Sequence, residues 1–155
     1  MAKTLILGIG NTLLADEGAG IHAIHYLEKN THSDDIELLD GGTLSFTLAG
    51  PIEEADQLIV IDAAELDSAP GTVKAFIGDD MDIYLGSHNK RSVHEVGLID
   101  LMTIARLTEH LPVNRALIGI QPESVDWGEH PTSSVEAAIP NACQQAIDII
   151  GQWQS

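Results

Sequence analysis

A glycine-rich acidic segment near the start of the chain reads Gly8-Ile9-Gly10-Asn11-Thr12-Leu13-Leu14-Ala15-Asp16-Glu17-Gly18-Ala19-Gly20. It follows a short apolar run at residues 4–7, and the apolar residues after it, Ile21, Ile24 and Leu27, recur at helical spacing. The segment is therefore predicted to be the loop of a strand-loop-helix unit, the building block of an α/β fold.

The glycine spacing of this loop is comparable with the G-x-G-x-x-G loops that bind dinucleotide phosphates. The third glycine position is Leu13, however, and Asp16 and Glu17 lie where a helix N-terminus would meet the phosphates. Two carboxylates would repel a phosphate group, although an acid near a helix start also stabilises the helix dipole. We predict an acidic functional loop and not a nucleotide site.

The composition narrows the class of protein. A chain of 155 residues with 44% hydrophobic content predicts one domain, residues 1–155. The formal charge of −17 disfavours nucleic acid and anionic membranes as partners. Cys143 is the single cysteine, so a metal would be bound by oxygen and imidazole ligands. The sequence shows neither a signal peptide nor a membrane-spanning run, and we expect a cytoplasmic monomer.

Apolar runs and helical patterns alternate along the chain. We expect a single three-layer α/β domain, with a mostly parallel twisted sheet of about five strands and helices on both faces. A short loop before the run at residues 73–77 predicts an antiparallel edge strand. We also expect Ser133 to cap the last helix, Pro140 to bend or divide it, and residues 121–131 to form a mobile surface loop. The predicted strands are residues 4–7, 36–39, 58–61, 73–77 and 116–120, and the predicted helices are 20–29, 44–55, 97–107 and 134–153.

Polar residues follow most of the predicted strands. Asp40 follows the second run, Asp62 follows the third, and Gln121 follows the last. Each has an ordinary structural explanation as a turn or cap residue. Because ligands bind beyond the carboxyl ends of strands in open α/β sheets, their shared position predicts a cation site there.

Imidazoles offer further metal ligands. His94 precedes the helix at 97–107, but Leu98 breaks the H-E-x-x-H pattern of zinc proteases. His22 and His25 lie three residues apart and could share a metal, although a solvated helix face explains them better. A site of Glu17, Asp62 and His94 would suit nickel, zinc, manganese or iron with open coordination positions. An unligated carboxylate such as Asp40 could then move a proton.

These motifs, taken together and in order, resemble those of the nickel-iron hydrogenase maturation endopeptidases. The resemblance extends over nearly the whole chain. The matching motifs are Gly8-x-Gly10-Asn11-x-Leu13-x-x-Asp16-Glu17-Gly18-x-Gly20, Asp40-Gly41-Gly42-Thr43, Asp62-Ala63, His94-x-x-Gly97-Leu98 and Gln121-Pro122-Glu123-Ser124.

The resemblance implies a metal-dependent peptidase that removes a C-terminal extension from a hydrogenase large-subunit precursor after nickel insertion. It implies that Glu17, Asp62 and His94 contact a nickel ion that arrives with the precursor. Asp40 would act in recognition or proton transfer. The resemblance leaves open whether the metal ion or a carboxylate activates the water molecule that hydrolyses the peptide bond.

Two other functions fit parts of the pattern. A non-catalytic nickel carrier would bind metal without cleaving a precursor. A receiver-like signalling domain would bind magnesium and accept phosphate at Asp62, but it would place a lysine where Gln121 follows the last strand.

Overall fold

The computed structural model describes residues 2–88 and 97–155. Its strands belong to one twisted sheet. The strands are β1 (Thr4–Gly8), β2 (Ile36–Asp40), β3 (Gln57–Ala63), β4 (Val73–Ile77) and β5 (Asn114–Ile120). Their order is β2-β1-β3-β5-β4. All neighbours pair in parallel except β4, which is antiparallel to β5 at the edge, as predicted.

Helices cover both faces of the sheet. They are α1 (Ala19–Asn30), α2 (Ala49–Glu54), α3 (Asp79–Ser87), α4 (Leu98–Leu107) and α5 (Ser133–Gln154). Alternate residues of β1 separate the two faces, because Ile6 packs against α1 and α5 whereas Leu5 and Leu7 pack in the core that includes α2 and α4. The predicted three-layer α/β fold is thus confirmed. Among the described residues, no helix is both long and apolar enough to cross a membrane.

Helix α3 was not predicted, because it begins with Asp79, Asp80 and Asp82 and buries only Met81. An ion pair compensates for the small apolar face. Arg115, only 8% exposed on β5, donates to Asp82 at 2.6 Å and 3.1 Å. Such tertiary pairing leaves no periodic signal in the sequence.

The predicted N-cap of α5 was wrong, and so was its predicted division at Pro140. Ser133 is inside the helix, Thr132 is the cap residue, and no side chain caps the end. Pro140 does not divide α5, which runs unbroken to Gln154. Proline has no N–H, so the carbonyl four residues before Pro140 receives no helical hydrogen bond. Because Pro140 is exposed, water can solvate that carbonyl.

Candidate active site

The strand order reverses between β1 and β3. The chain leaves β1 through α1 to β2 on one side, and returns through α2 to β3 on the other. In doubly wound folds this reversal opens a crevice at the carboxyl ends of the two strands. Glu17 follows β1 and Asp62 lies near the end of β3, so the topology places both beside that crevice.

Glu17 lies on a short 3₁₀ turn, Ala15–Gly18, that precedes α1. The loop before the turn folds back on it, since the Asn11 amide donates to the Glu17 carbonyl at 3.3 Å. Gly10 makes this possible because its φ of +140° is unfavourable for other residues, and a Cβ there would collide with the Glu17 carbonyl oxygen. The glycine of the sequence motif therefore positions the acid.

The carboxylates of Glu17 and Asp62 line the same cavity, whose volume is about 440 Å³. Burial, and after it the charge of Glu17, raises the pKa of Asp62 well above its ordinary value. Burial also raises the pKa of Glu17. Two close carboxylates with raised pKa values favour a shared proton or a bound cation, and such pairs are typical of functional sites. The other residues of the cavity wall are Ile9, Leu44, Ala63, Ala64, Glu65, Tyr84, Leu85, His88, Gly97, Leu98, Ile99 and Leu117.

The third predicted metal ligand, His94, lies outside the described residues. The described segments on either side of it reach the site, because His88 and Gly97 both line the cavity. In residues 2–88 and 97–155 there is no group of three or more His, Cys, Asp or Glu side chains that could hold a metal ion.

Asp40 is not brought into this cavity. It is exposed at the end of β2, where its Oδ1 accepts the Gly42 amide at 2.9 Å. Its Oδ2 lies 3.8 Å from Nε2 of His25. The structure thus places Asp40 on the same edge of the sheet as Glu17 and Asp62, but outside the cavity wall.

Asp16, the neighbour of Glu17, has a structural role that the sequence did not reveal. Its side chain is fully buried and accepts the backbone amides of Glu123, Ser124 and Thr132 at 2.7–3.1 Å. The Thr132 hydroxyl donates to it at 2.8 Å. Burial raises the pKa of Asp16, but these hydrogen bonds outweigh that effect and hold the pKa below its ordinary value.

This arrangement corrects the expectation that residues 121–131 form a mobile loop. The carboxylate of Asp16 anchors both ends of the segment, and an isolated bridge between Leu14 and Gly128 pairs its middle with the acidic loop. We call the contacts around Asp16 the Asp16 clamp. It joins the loop after β5 to the turn that carries Glu17.

Glu65 is a cavity residue that the sequence analysis missed. The side-chain Nε2 of Gln121 donates to Glu65 Oε2 at 3.1 Å. Oε1 of the same Gln121 side chain accepts the Leu66 backbone amide at 2.6 Å. Tyr84 donates to the Glu65 carbonyl at 2.9 Å and stacks on His88. Inspecting residues beyond Asp62 after the third strand would have found Glu65, because it follows the same strand end.

His22 and His25 lie at a different cavity, of about 400 Å³, which His130 and Glu136 also line. Nε2 of His22 is buried without a hydrogen-bond partner. Burial, then the charges of His25 and His130, lower the pKa of His22. The cavity lies against α1 and α5, on the opposite face of the sheet from the α4 residues that line the Glu17 cavity. These imidazoles are therefore separate from the carboxylate pair.

Comparison with known proteins agrees with this geometry. The family model described as "Hydrogenase maturation protease" matches residues 21–149. The Hydrogenase 2 maturation protease of Escherichia coli K12 is 37% identical over 147 residues, which cover 94% of this chain and 88% of that protein. The hydrogenase expression/formation protein HupD of Rhizobium leguminosarum bv. viciae is also 37% identical, covering 97% of this chain and 75% of that protein.

A solved structure shows the same fold. The hydrogenase maturating endopeptidase HybD from E. coli superimposes with a TM-score of 0.88 at 34% identity, covering 97% of this chain and 93% of that one. The family match at residues 21–149 spans most of the chain, and the similarity to the solved structure covers 97% of it. The chain is therefore a peptidase that belongs to the hydrogenase maturation protease family.

Proposed function

We propose that this peptidase removes the C-terminal extension of a nickel-iron hydrogenase large-subunit precursor after nickel has been inserted into it. One observation carries the proposal. In a chain of the hydrogenase maturation protease family, two carboxylates with raised pKa values line one cavity at the topological switch point. This is where an α/β enzyme binds its substrate.

Nickel enters this proposal as part of the substrate. Carboxylate oxygens suit a divalent cation, and Glu17 and Asp62 present two such groups to one cavity. We assign the third contact to His94, as the sequence motif predicts. A nickel ion held by precursor ligands would need only these few contacts from the protease. When bound, such an ion supplies Lewis-acid polarisation of the peptide carbonyl.

The residues of the chain then have distinct tasks. Glu17 and Asp62 orient the loaded precursor in the cavity, and one of them accepts a proton as water adds to the scissile carbonyl. The C–N bond breaks, the new amine takes up a proton, and the large subunit keeps a free carboxyl terminus. The raised pKa of Asp62 favours this proton transfer, because its carboxylate binds a proton more readily near neutral pH.

For Asp40 we propose recognition and not proton transfer. It lies at the edge of the sheet, outside the cavity wall, and its Oδ1 is already committed to the Gly42 amide. We propose that Asp40 contacts the precursor beyond the bond that is cut.

The deciding experiment incubates the purified chain with nickel-loaded and nickel-free large-subunit precursors and measures the C-terminal mass of each product. We expect a defined peptide to be lost only from the loaded precursor. Cleavage of both forms would reject the nickel dependence but would still support the peptidase activity. Cleavage of neither, with stoichiometric nickel bound by the isolated chain, would favour the carrier function instead.

The receiver-like alternative is disfavoured by the topology and by the family match. Incubation of the protein with acetyl phosphate tests this alternative. Stable phosphorylation of Asp62 would support a receiver-like function.

A further inference from the structure

Large apolar side chains are exposed on the loops that surround the carboxylate pair. They are Leu13 (51% exposed), Phe46 (62%), Val125 (50%) and Trp127 (80%), which we call the apolar rim. Leu13 follows β1, Phe46 follows β2, and Val125 and Trp127 follow β5. All of them therefore lie at the carboxyl edge of the sheet, where Glu17 and Asp62 also lie. Scattered apolar side chains on a surface are ordinary, but a set gathered at one functional edge indicates an interaction site.

The loops of the apolar rim are fastened to one another by backbone hydrogen bonds. The Gly10 amide donates to the Gly42 carbonyl at 2.9 Å, which joins the first two loops. The Gly128 amide donates to the Leu13 carbonyl at 2.9 Å, and the Ala15 amide donates to the Gly128 carbonyl at 2.8 Å. Since the Asp16 clamp adds further bonds, the rim is held in place before any partner arrives, which lowers the entropy cost of binding.

Leu13 and Trp127 are neighbours within this rim. They directly precede Leu14 and Gly128, which pair in an isolated parallel bridge, so the two side chains come from adjacent backbone segments. Tryptophan is among the residues most enriched at the energetic hot spots of protein interfaces, and Trp127 is 80% exposed here.

The rim lies outside the cavity that would hold the cleaved bond. None of Leu13, Phe46, Val125 and Trp127 belongs to the cavity wall. A substrate that reached only into the cavity would leave these side chains in water. They can be covered only by a partner that extends over the loops around Glu17, such as the folded body of a protein substrate.

The charge around the rim specifies the partner further. Exposed Glu123, Asp126 and Glu129 accompany Trp127 in the loop after β5. Residues 9–18, 40–48 and 121–132, which carry the rim, contain no lysine or arginine. A partner surface with an apolar centre and basic residues around it would be complementary in both respects.

From these observations we infer that the apolar rim is the docking surface for the folded body of the large-subunit precursor, which contacts it through an apolar patch bordered by basic residues. The inference rests on the proposed function. It adds that selection of the substrate occurs on the rim, while cleavage occurs in the cavity.

The test measures KM and kcat for a nickel-loaded precursor with the full-length chain. Trp127→Ala and Leu13→Ala are each expected to raise KM about tenfold and to leave kcat unchanged, as for interface anchor residues. Trp127→Phe should restore most of the affinity. The matched control is Leu107→Ala, because Leu107 is 78% exposed but ends α4, away from the rim loops. It should change neither constant.

Equal KM values for Trp127→Ala, Leu13→Ala and Leu107→Ala would overturn the inference. The charge component is tested by ionic strength, since KM should rise with added salt. A KM that does not depend on salt would contradict the basic border of the partner. Failure of the proposed function is distinguishable, because wild-type protein would then not cleave the precursor. In that case the affinities of the wild-type and Trp127→Ala proteins for the precursor are measured directly. Equal affinities would reject the docking surface.

Discussion

Glu17 and Asp62 line the same cavity, although Glu17 lies on the turn before α1 and Asp62 lies on β3, 45 positions further along the sequence. Each is partly buried, and the charge of Glu17 adds to burial in raising the pKa of Asp62. Two acids in this relationship destabilise the empty site at neutral pH and favour whatever brings positive charge to it. The site is therefore built for binding at a cost in stability.

Removing either carboxylate should abolish processing while the fold remains. We expect Glu17→Gln and Asp62→Asn to lower cleavage of a nickel-loaded precursor by at least a hundredfold, because each removes a charged group from the cavity proposed to bind the precursor. The C-terminal mass of the product measures this. Glu28→Gln, an exposed change on α1, is the control and should cleave normally. Normal cleavage by both cavity variants would refute the assignment of the site.

The raised pKa of Asp62 predicts a specific dependence of stability on pH. An acid whose folded pKa exceeds its unfolded value of about 3.9 makes the native state bind more protons, so its contribution to stability falls as pH rises through that interval. Asp62→Asn should therefore stabilise the protein at pH 7, by on the order of 1 kcal/mol, and much less at pH 4.

Urea unfolding of wild type, Asp62→Asn and the exposed control Asp34→Asn at both pH values tests this. A stabilisation that is the same at pH 4 and pH 7 would contradict the shift in pKa. A difference of the same size in Asp34→Asn would show that the effect is general to the acidic surface and not particular to the cavity.

The opposite sign is expected for Asp16. Its folded pKa lies below the unfolded value, so it stabilises the native state above about pH 4, and this contribution is lost as pH falls through the folded pKa. Asp16→Asn should cost about 2–3 kcal/mol at pH 7, because buried amide donors lose a charged acceptor.

Thr132→Val is the partial version of the Asp16 change, since it removes one hydroxyl donor and keeps the backbone amide. It should cost less than Asp16→Asn. The free energy of unfolding and the rate of limited proteolysis in residues 121–132 are the two measurements. Unchanged stability and protection in Asp16→Asn would show that the clamp does not hold the loop.

Gly10→Ala should impair activity through the backbone of Glu17. The new Cβ would collide with the Glu17 carbonyl oxygen, and the φ of +140° adds strain, so the turn Ala15–Gly18 must shift. We expect at least a tenfold loss of cleavage. Gly151→Ala is the control, because nothing lies within 4 Å of its added Cβ in α5, and it should be neutral or slightly stabilising. Full activity of Gly10→Ala would refute this role.

Much of the architecture was predictable because buried parallel strands form continuous apolar runs. Residues 58–61 and 116–120 are examples, and β3 and β5 contain them. The rule that functional residues follow strand ends likewise brought Glu17 and Asp62 together. Both inferences depend on local pattern and on a known topology.

The missed features depend on contacts between distant residues. The acids of α3 look like a solvated loop until Arg115 pairs with Asp82. Asp16 and Glu17 are adjacent acids with no difference in local context, yet only the fold shows that one is anchored and the other lines the cavity. Thr132 caps no amide because its hydroxyl is used by Asp16, a choice that the capping rule does not contain.

The partners in the Asp16 clamp are 107–116 positions apart in the sequence. A chain emerging from the ribosome with only its first 120 residues has all the strands of the sheet but none of these partners. Contacts of such long sequence separation close late in folding, because the loop entropy must be lost first. The turn that carries Glu17 thus gains its support only after residues 123–132 have been synthesised, and a shorter chain would lack the contacts that hold this turn.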